Sequence, residues 1–135
     1  MAEVFADSNV LLYLLSADER KADRAQAVLQ EQCVVSVQVL NEAAHVARKK
    51  AGMSWEEIDG FLALIRALCT VVPLTIETHN LGRRIAAQYR IGLYNALIVA
   101  SSILSGCRIL YSEDLQHGMI FDEKVELINP FPGIR

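Results

Sequence analysis

Four oxygen-bearing side chains, Asp7, Glu42, Asn95 and Asp114, are spread along this chain of 135 residues at positions a fold could bring together. Taken singly, each has an ordinary structural explanation. Asp7 and Asn95 suit helix N-caps, Glu42 a solvated helix position and Asp114 a turn. Taken together they form a donor set for a hard divalent cation, Mg²⁺ or Mn²⁺, because such ions prefer carboxylate and carbonyl oxygens. A cation so held lowers the pKa of bound water and can make it a nucleophile. In such a centre Asp7, Asn95 and Asp114 are the direct ligands, and Glu42 completes the set or holds a water. Ser112 either positions a ligand or phosphate or is a plain turn hydroxyl.

The elements that must position these residues follow from short apolar runs alternating with longer helical patterns. Val4-Phe5-Ala6 reads as a first strand, with Asp7 directly after it and the apolar turns Val10 to Leu15 beyond. A charged helix follows over about Glu19 to Gln32, and Val34-Val35 is a second strand. Val39, Leu40, Ala43, Ala44, Val46 and Ala47 mark a helix ended by Gly52, with Glu42 about two turns in. Ser54 and Glu57 form a capping box that opens a helix through Ile58, Leu62, Ile65 and Leu68. Thr70-Val71-Val72 fits a short strand, and Leu81, Ile85 and Tyr89 share one face of another helix. Ala96 to Leu104 is apolar nearly all round, so it is a buried central helix, begun by Asn95 and capped by Gly106. Ile109-Leu110-Tyr111 is a strand that runs into the loop carrying Ser112 and Asp114, and Val125 to Ile128 is the last strand.

Strands separated by helices imply parallel pairing, because a parallel neighbour is reached only by a crossover. The expected architecture is α/β, with a parallel sheet of about four to five strands covered by helices on both faces. Ligands of such sheets collect beyond the carboxyl ends of the strands. Asp7 and Asp114 both lie there.

Length and composition place the whole chain, residues 1–135, in one domain: 53 % of residues are hydrophobic and 21 % charged, which supplies a core and leaves no disordered composition. No apolar run approaches the roughly 20 residues of a membrane span, and the N-terminus lacks a signal-peptide pattern, so a cytoplasmic protein is expected. The net charge of −3 argues against non-specific coating of nucleic acid, while Arg48-Lys49-Lys50 and the Arg83-Arg84…Arg90 group offer local basic rims. Cys33, Cys69 and Cys107 form neither a C-x-x-C pair nor a zinc pattern with His45, His79 and His117, and read as reduced, buried thiols.

Four stretches, in this order, resemble the PIN-domain family: Asp7-Ser8-Asn9-Val10-Leu11-Leu12-Tyr13, Val39-Leu40-Asn41-Glu42, Gly92-Leu93-Tyr94-Asn95-Ala96-Leu97-Ile98-Val99-Ala100 and Leu110-Tyr111-Ser112-Glu113-Asp114-Leu115. The resemblance implies that Asp7, Glu42, Asn95 and Asp114 occupy the family's acidic quartet, with Ser112 at its usual hydroxyl position and Asn9 beside the first acid. Members of the VapC branch are toxins that cleave RNA with a divalent metal and are silenced by a cognate antitoxin, so the resemblance implies an RNA substrate, an antitoxin partner and a homodimer. Arg84, Arg90 and Tyr94 are candidates for gripping and stacking single-stranded RNA. The departure is Asn95, where the family has an aspartate. An amide oxygen still coordinates a hard cation, but one negative charge is gone and metal affinity falls with it.

Three other readings meet these residues. A haloacid-dehalogenase-like phosphatase needs a second acid two residues after the first, where this chain has Asn9. A di-iron carboxylate protein would use the Glu-x-x-His pair Glu42 and His45, but requires a second such motif; His45 is expected to be a partly buried helix residue. A catalytically weak or inactive PIN-fold protein that binds RNA or a protein partner is the alternative that Asn95 favours.

Overall fold

The computed structural model describes residues 3–131 and Gly133. In chain order it contains β1 (Val4–Ala6), α1 (Ser8–Leu12), a 3₁₀ turn (Tyr13–Leu15), α2 (Glu19–Leu29), β2 (Val34–Ser36), α3 (Val37–Lys49), α4 (Trp55–Leu68), β3 (Thr70–Val72), α5 (Ile76–Tyr89), α6 (Leu93–Leu104), β4 (Ile109–Tyr111), β5 (Ile120–Phe121) and β6 (Val125–Ile128). The strand order is β3-β2-β1-β4-β6-β5, parallel except for the β5–β6 pair. All three residues of β1 and of β2 are buried. Because alternate side chains of a strand face opposite ways, this burial requires helices over both faces of the sheet.

The chain winds outward from β1 through β2 to β3, then returns to lay β4 against the other side of β1. That reversal is a topological switch point, where the carboxyl ends of two neighbouring strands leave a crevice between their following loops. Ala6 pairs with Tyr111 at the ends of β1 and β4. Asp7 and Ser112, the next residue in each strand's path, therefore face one another across the crevice.

Local chemistry fixes the helices that flank it. The Ser36 hydroxyl accepts the Val39 amide at 3.3 Å and starts α3. Ser54 and Glu57 cap α4 reciprocally, at 3.1 and 2.9 Å, as the sequence indicates. Thr75 and Thr78 do the same for α5. Helices α5 and α6 approach so closely at Gly82 that a Cβ there would stand 2.5 Å from Leu97 Cδ2. Phe5, Leu11, Leu29, Ile65, Ile85, Leu110 and Phe121 anchor one apolar core. The three cysteines are free and buried, as expected, and no helix among the described residues is long and apolar enough to cross a membrane.

Several boundaries differ from the sequence expectation. Helix α2 stops at Leu29 because Gln32 takes a left-handed conformation (φ 57°) in the turn before β2. Helix α3 is capped at Lys50, and Gly52 (φ 65°) bends the loop beyond it. Helix α6 begins at Leu93 with Gly92 as its N-cap, so Asn95 lies inside the first turn and is not the cap. His45 is exposed. The sheet has six strands among the described residues, one more than the runs identified. The extra strand, β5, turns back into β6 through Asp122 and Glu123, both at positive φ (54° and 57°), with the Lys124 amide on the Phe121 carbonyl at 2.9 Å. Such a turn usually carries Asn-Gly or Asp-Gly. Here the conformation is held instead by α5, whose Arg84 pairs with the Asp122 carboxylate and whose Tyr89 hydroxyl accepts the Asp122 amide at 2.7 Å.

Candidate active site

Asp7 is the centre of the crevice. Its amide donates to the Tyr111 carbonyl at 3.0 Å, which locks the end of β1 to β4. One carboxylate oxygen accepts the Ser8 amide at 2.7 Å, and the other accepts the Ser112 hydroxyl at 2.8 Å. The side chain is only 3 % exposed. Burial pushes its pKa from the ordinary 3.8 up to about 6; the bonds from Ser112 and Ser8 oppose the rise, and the charges of Asp114 and Glu42 add to it. The charges of Asp114 and Glu42 are therefore felt in the small volume around Asp7.

Ser112 is the hub of that volume. Besides donating to Asp7, its buried hydroxyl accepts the Asp114 amide at 3.1 Å and the Asn9 side-chain amide at 3.3 Å. One hydroxyl thus ties the loop after β4 to Asp7 and Asn9 at the end of β1 and the start of α1, and orients the Asp7 carboxylate. Asn9 leaves its own Oδ1 buried without a partner among the described residues, an acceptor free to meet a cation or a donor.

Glu42 comes from α3. Its carboxylate is half-buried, accepts the Ser8 hydroxyl at 3.4 Å on one oxygen and the Gln38 amide at 3.5 Å on the other. Burial raises its pKa, the two hydrogen bonds lower it, and the Asp114 charge raises it again. Asp114 is exposed at the rim, and Asn95 is half-buried in the first turn of α6. That turn is tied to α3 by the Gln38 amide, which also donates to the Tyr94 carbonyl at 3.0 Å.

Two open clefts meet the site. The larger, about 840 Å³, is lined by Ser8, Gln38, Glu42, His45 and Tyr94. The smaller, about 490 Å³, carries Asn9, Tyr13, Lys50 and Glu113. Tyr94 is 69 % exposed in the first, and Lys50 brings one of the expected basic groups to the second. Arg84 is engaged elsewhere, with Asp122 and with Gln88 at 2.7 Å. Arg90 closes α5 in a left-handed conformation (φ 55°). Ser8 and Gln38 were not anticipated; Gln38 carried the one available signal, a polar residue four positions before Glu42 on the same helix face.

The family model of the PIN domain matches residues 4–119. This chain belongs to the PIN domain family. Among solved structures this PIN domain is similar to a toxin–antitoxin complex from Klebsiella pneumoniae, with a TM-score of 0.72, 15 % identity, and coverage of 95 % of this chain and 98 % of that one. It is also similar to VapC20 of Mycobacterium tuberculosis, a sarcin–ricin loop cleaving toxin (TM-score 0.67, 14 % identity, 82 % and 89 % covered). DNA-bound VapBC from Salmonella typhimurium matches with a TM-score of 0.71 and 13 % identity, over 94 % and 97 % of the two chains. Among curated proteins none matches in sequence.

The donor set of this PIN domain fits a hard cation. The Asp7 carboxyl, raised in pKa by burial and by the charges of Asp114 and Glu42, and the buried Asn9 amide oxygen, without a donor among the described residues, both gain from a positive charge. Among the described residues, no three Asp, Glu, His or Cys side chains form a ready-made ligand group. A site of this kind suits an ion that keeps several waters and takes only one or two carboxylates, as Mg²⁺ does.

Proposed function

We propose that this PIN domain is a metal-dependent endoribonuclease, the toxin of a toxin–antitoxin pair of the VapC type, weakened by Asn95. The observation that carries the proposal is the buried Asp7 carboxylate, bonded by Ser112 at 2.8 Å and raised in pKa by burial and by Asp114 and Glu42, at the switch point of the sheet. Asp7, Asn95 and Asp114 would hold Mg²⁺ or Mn²⁺, with Glu42 either completing the set or holding a metal-bound water through its carboxylate. When bound, the ion supplies Lewis-acid activation of water and neutralises charge at a phosphodiester.

The chain's own residues do the rest. Ser112 and the Ser8 amide hold Asp7 in one orientation, so the carboxylate needs little reorganisation on binding. Glu42 faces the larger cleft, where Tyr94 offers a stacking surface for a base. Lys50 in the smaller cleft offers a cation to a phosphate on the other side. Asn95 supplies a neutral oxygen where a carboxylate would attract the ion more strongly, which lowers metal affinity.

An RNA substrate, a cognate antitoxin, a homodimer and a cytoplasmic location complete the proposal. The similar structures include a toxin–antitoxin complex and a DNA-bound VapBC, which supports the antitoxin partner. The rival reading, a PIN domain that binds RNA or protein without cutting, is favoured by Asn95 alone. Metal-dependent cleavage of RNA by the chain, lost in Asp7→Ala and in Asp114→Ala, would support the nuclease. Cleavage unaffected by either substitution would refute it.

A further inference from the structure

Gln38 is a buried amide, only 7 % exposed, on the face of α3 that carries Glu42. Its nitrogen donates to the Tyr94 carbonyl at 3.0 Å and to a Glu42 carboxylate oxygen at 3.5 Å. Both neighbours are acceptors only, so the nitrogen must face them and the amide cannot be turned over without setting oxygen against oxygen. The consequence is that Oε1 is buried with no partner among the described residues. A buried acceptor left unpaired is a net cost to the fold. An apolar side chain of the same length would fill this place without that cost. What the amide contributes is therefore a connection. It joins the carboxylate of Glu42 to the first turn of α6, one residue before Asn95. Apart from it, Glu42 has the Ser8 hydroxyl at 3.4 Å to hold a side chain with three rotatable bonds at the mouth of an open cleft.

Resting on the nuclease reading, we propose that Gln38 is a positioning residue: a buried amide, kept at some expense of stability, that fixes Glu42 against the first turn of α6 and so sets the spacing of the oxygens that hold the metal. A purely structural Gln38 and a positioning Gln38 differ in the sign of what its removal does.

The test is Gln38→Met, which keeps length and volume but removes both the donor and the orphan acceptor, made in the full chain and in the Asn95→Asp form. Gln38→Leu is a second volume-matched variant. Three quantities are read: melting temperature in EDTA, Mn²⁺ affinity by calorimetry and by electron paramagnetic resonance of the free ion, and the split between kcat and KM for RNA cleavage. The expected result is a melting temperature unchanged or raised, Mn²⁺ bound about 10–100-fold more weakly, and a loss concentrated in kcat. A lower melting temperature with unchanged Mn²⁺ affinity, or affinity equal to the parent's at any melting temperature, overturns the proposal and leaves the nuclease reading standing. Absence of Mn²⁺ binding both by the parent chain and by its Asn95→Asp form, each with Gln38 intact, overturns the two readings together.

Discussion

Replacing Asp7 with Asn isolates the energetic consequence of burying a carboxylate at the sheet's switch point. The carboxyl titrates at about 6 in the folded protein against an ordinary 3.8. Between those values the folded state keeps a proton that the unfolded chain has lost, so Asp7 contributes a loss of stability as pH rises through the window. A shift of that size corresponds to about 3 kcal/mol once pH exceeds about 6. Asn carries no titrating proton there, and it retains an oxygen for the Ser8 amide. The stability of Asp7→Asn relative to the parent should therefore climb by about 2–3 kcal/mol between about pH 4 and pH 8. Urea unfolding of both proteins in EDTA across that range measures it, and taking the difference between the two curves cancels the other titrating groups. The fixed cost of disturbing the Ser112 bond offsets the whole curve without changing its slope. A difference independent of pH would refute the assignment of a raised pKa to Asp7, and with it the desolvated centre.

Ser112→Ala removes the donor at 2.8 Å that opposes the effect of burial on Asp7. The acid limb of the cleavage pH profile should move to higher pH and stability should fall by about 1–2 kcal/mol; a rate profile superimposable on the parent's would show that the hydroxyl is only a turn former. Tyr89→Phe deletes the hydroxyl that accepts the Asp122 amide at 2.7 Å while keeping the ring on Phe121 at 4.9 Å. It should cost about 1–2 kcal/mol in denaturant unfolding, and an unchanged midpoint would mean that the β5–β6 turn holds itself. Gly82→Val puts side-chain carbon into the contact with Leu97, whose Cα would lie 3.3 Å from the new Cβ. Overpacking there should lower stability by about 1–3 kcal/mol, and a stabilised variant would show that α5 and α6 part easily.

The parts of the site that come from strand ends were legible in the sequence. Val4-Phe5-Ala6 and Ile109-Leu110-Tyr111 are apolar runs broken abruptly by Asp7 and Ser112, and parallel pairing in register brings the breaks together. Glu42 was legible as a helix residue, but its partners were not. Ser8 touches it only because α1 packs near α3, a tertiary fact without a local signal; Gln38 reaches it from four residues back on the same helix, and what no local signal gives is that the same amide also bonds Tyr94 of α6. Asn95 resembled a cap because it precedes an apolar run, yet Gly92 starts the helix with no side-chain cap at all, and the helix gains its place from burial of Ala96, Val99 and Ala100. The strand β5 was invisible for a related reason: two residues carry no periodicity, and the turn beside them depends on Arg84 and Tyr89 of a distant helix. Arg84, conversely, looked available for RNA because its acidic partner lies 38 residues away.

The most direct measurement is cleavage of RNA as a function of Mn²⁺ concentration by three proteins: the chain with Asn95, its Asn95→Asp form and Asp7→Ala. A metal centre built on Asp7 and weakened by one amide requires slow cleavage by the first, faster cleavage at lower Mn²⁺ by the second and none by the third. Equal cleavage by all three, or no cleavage by the Asn95→Asp form, would contradict a nuclease centred on these residues.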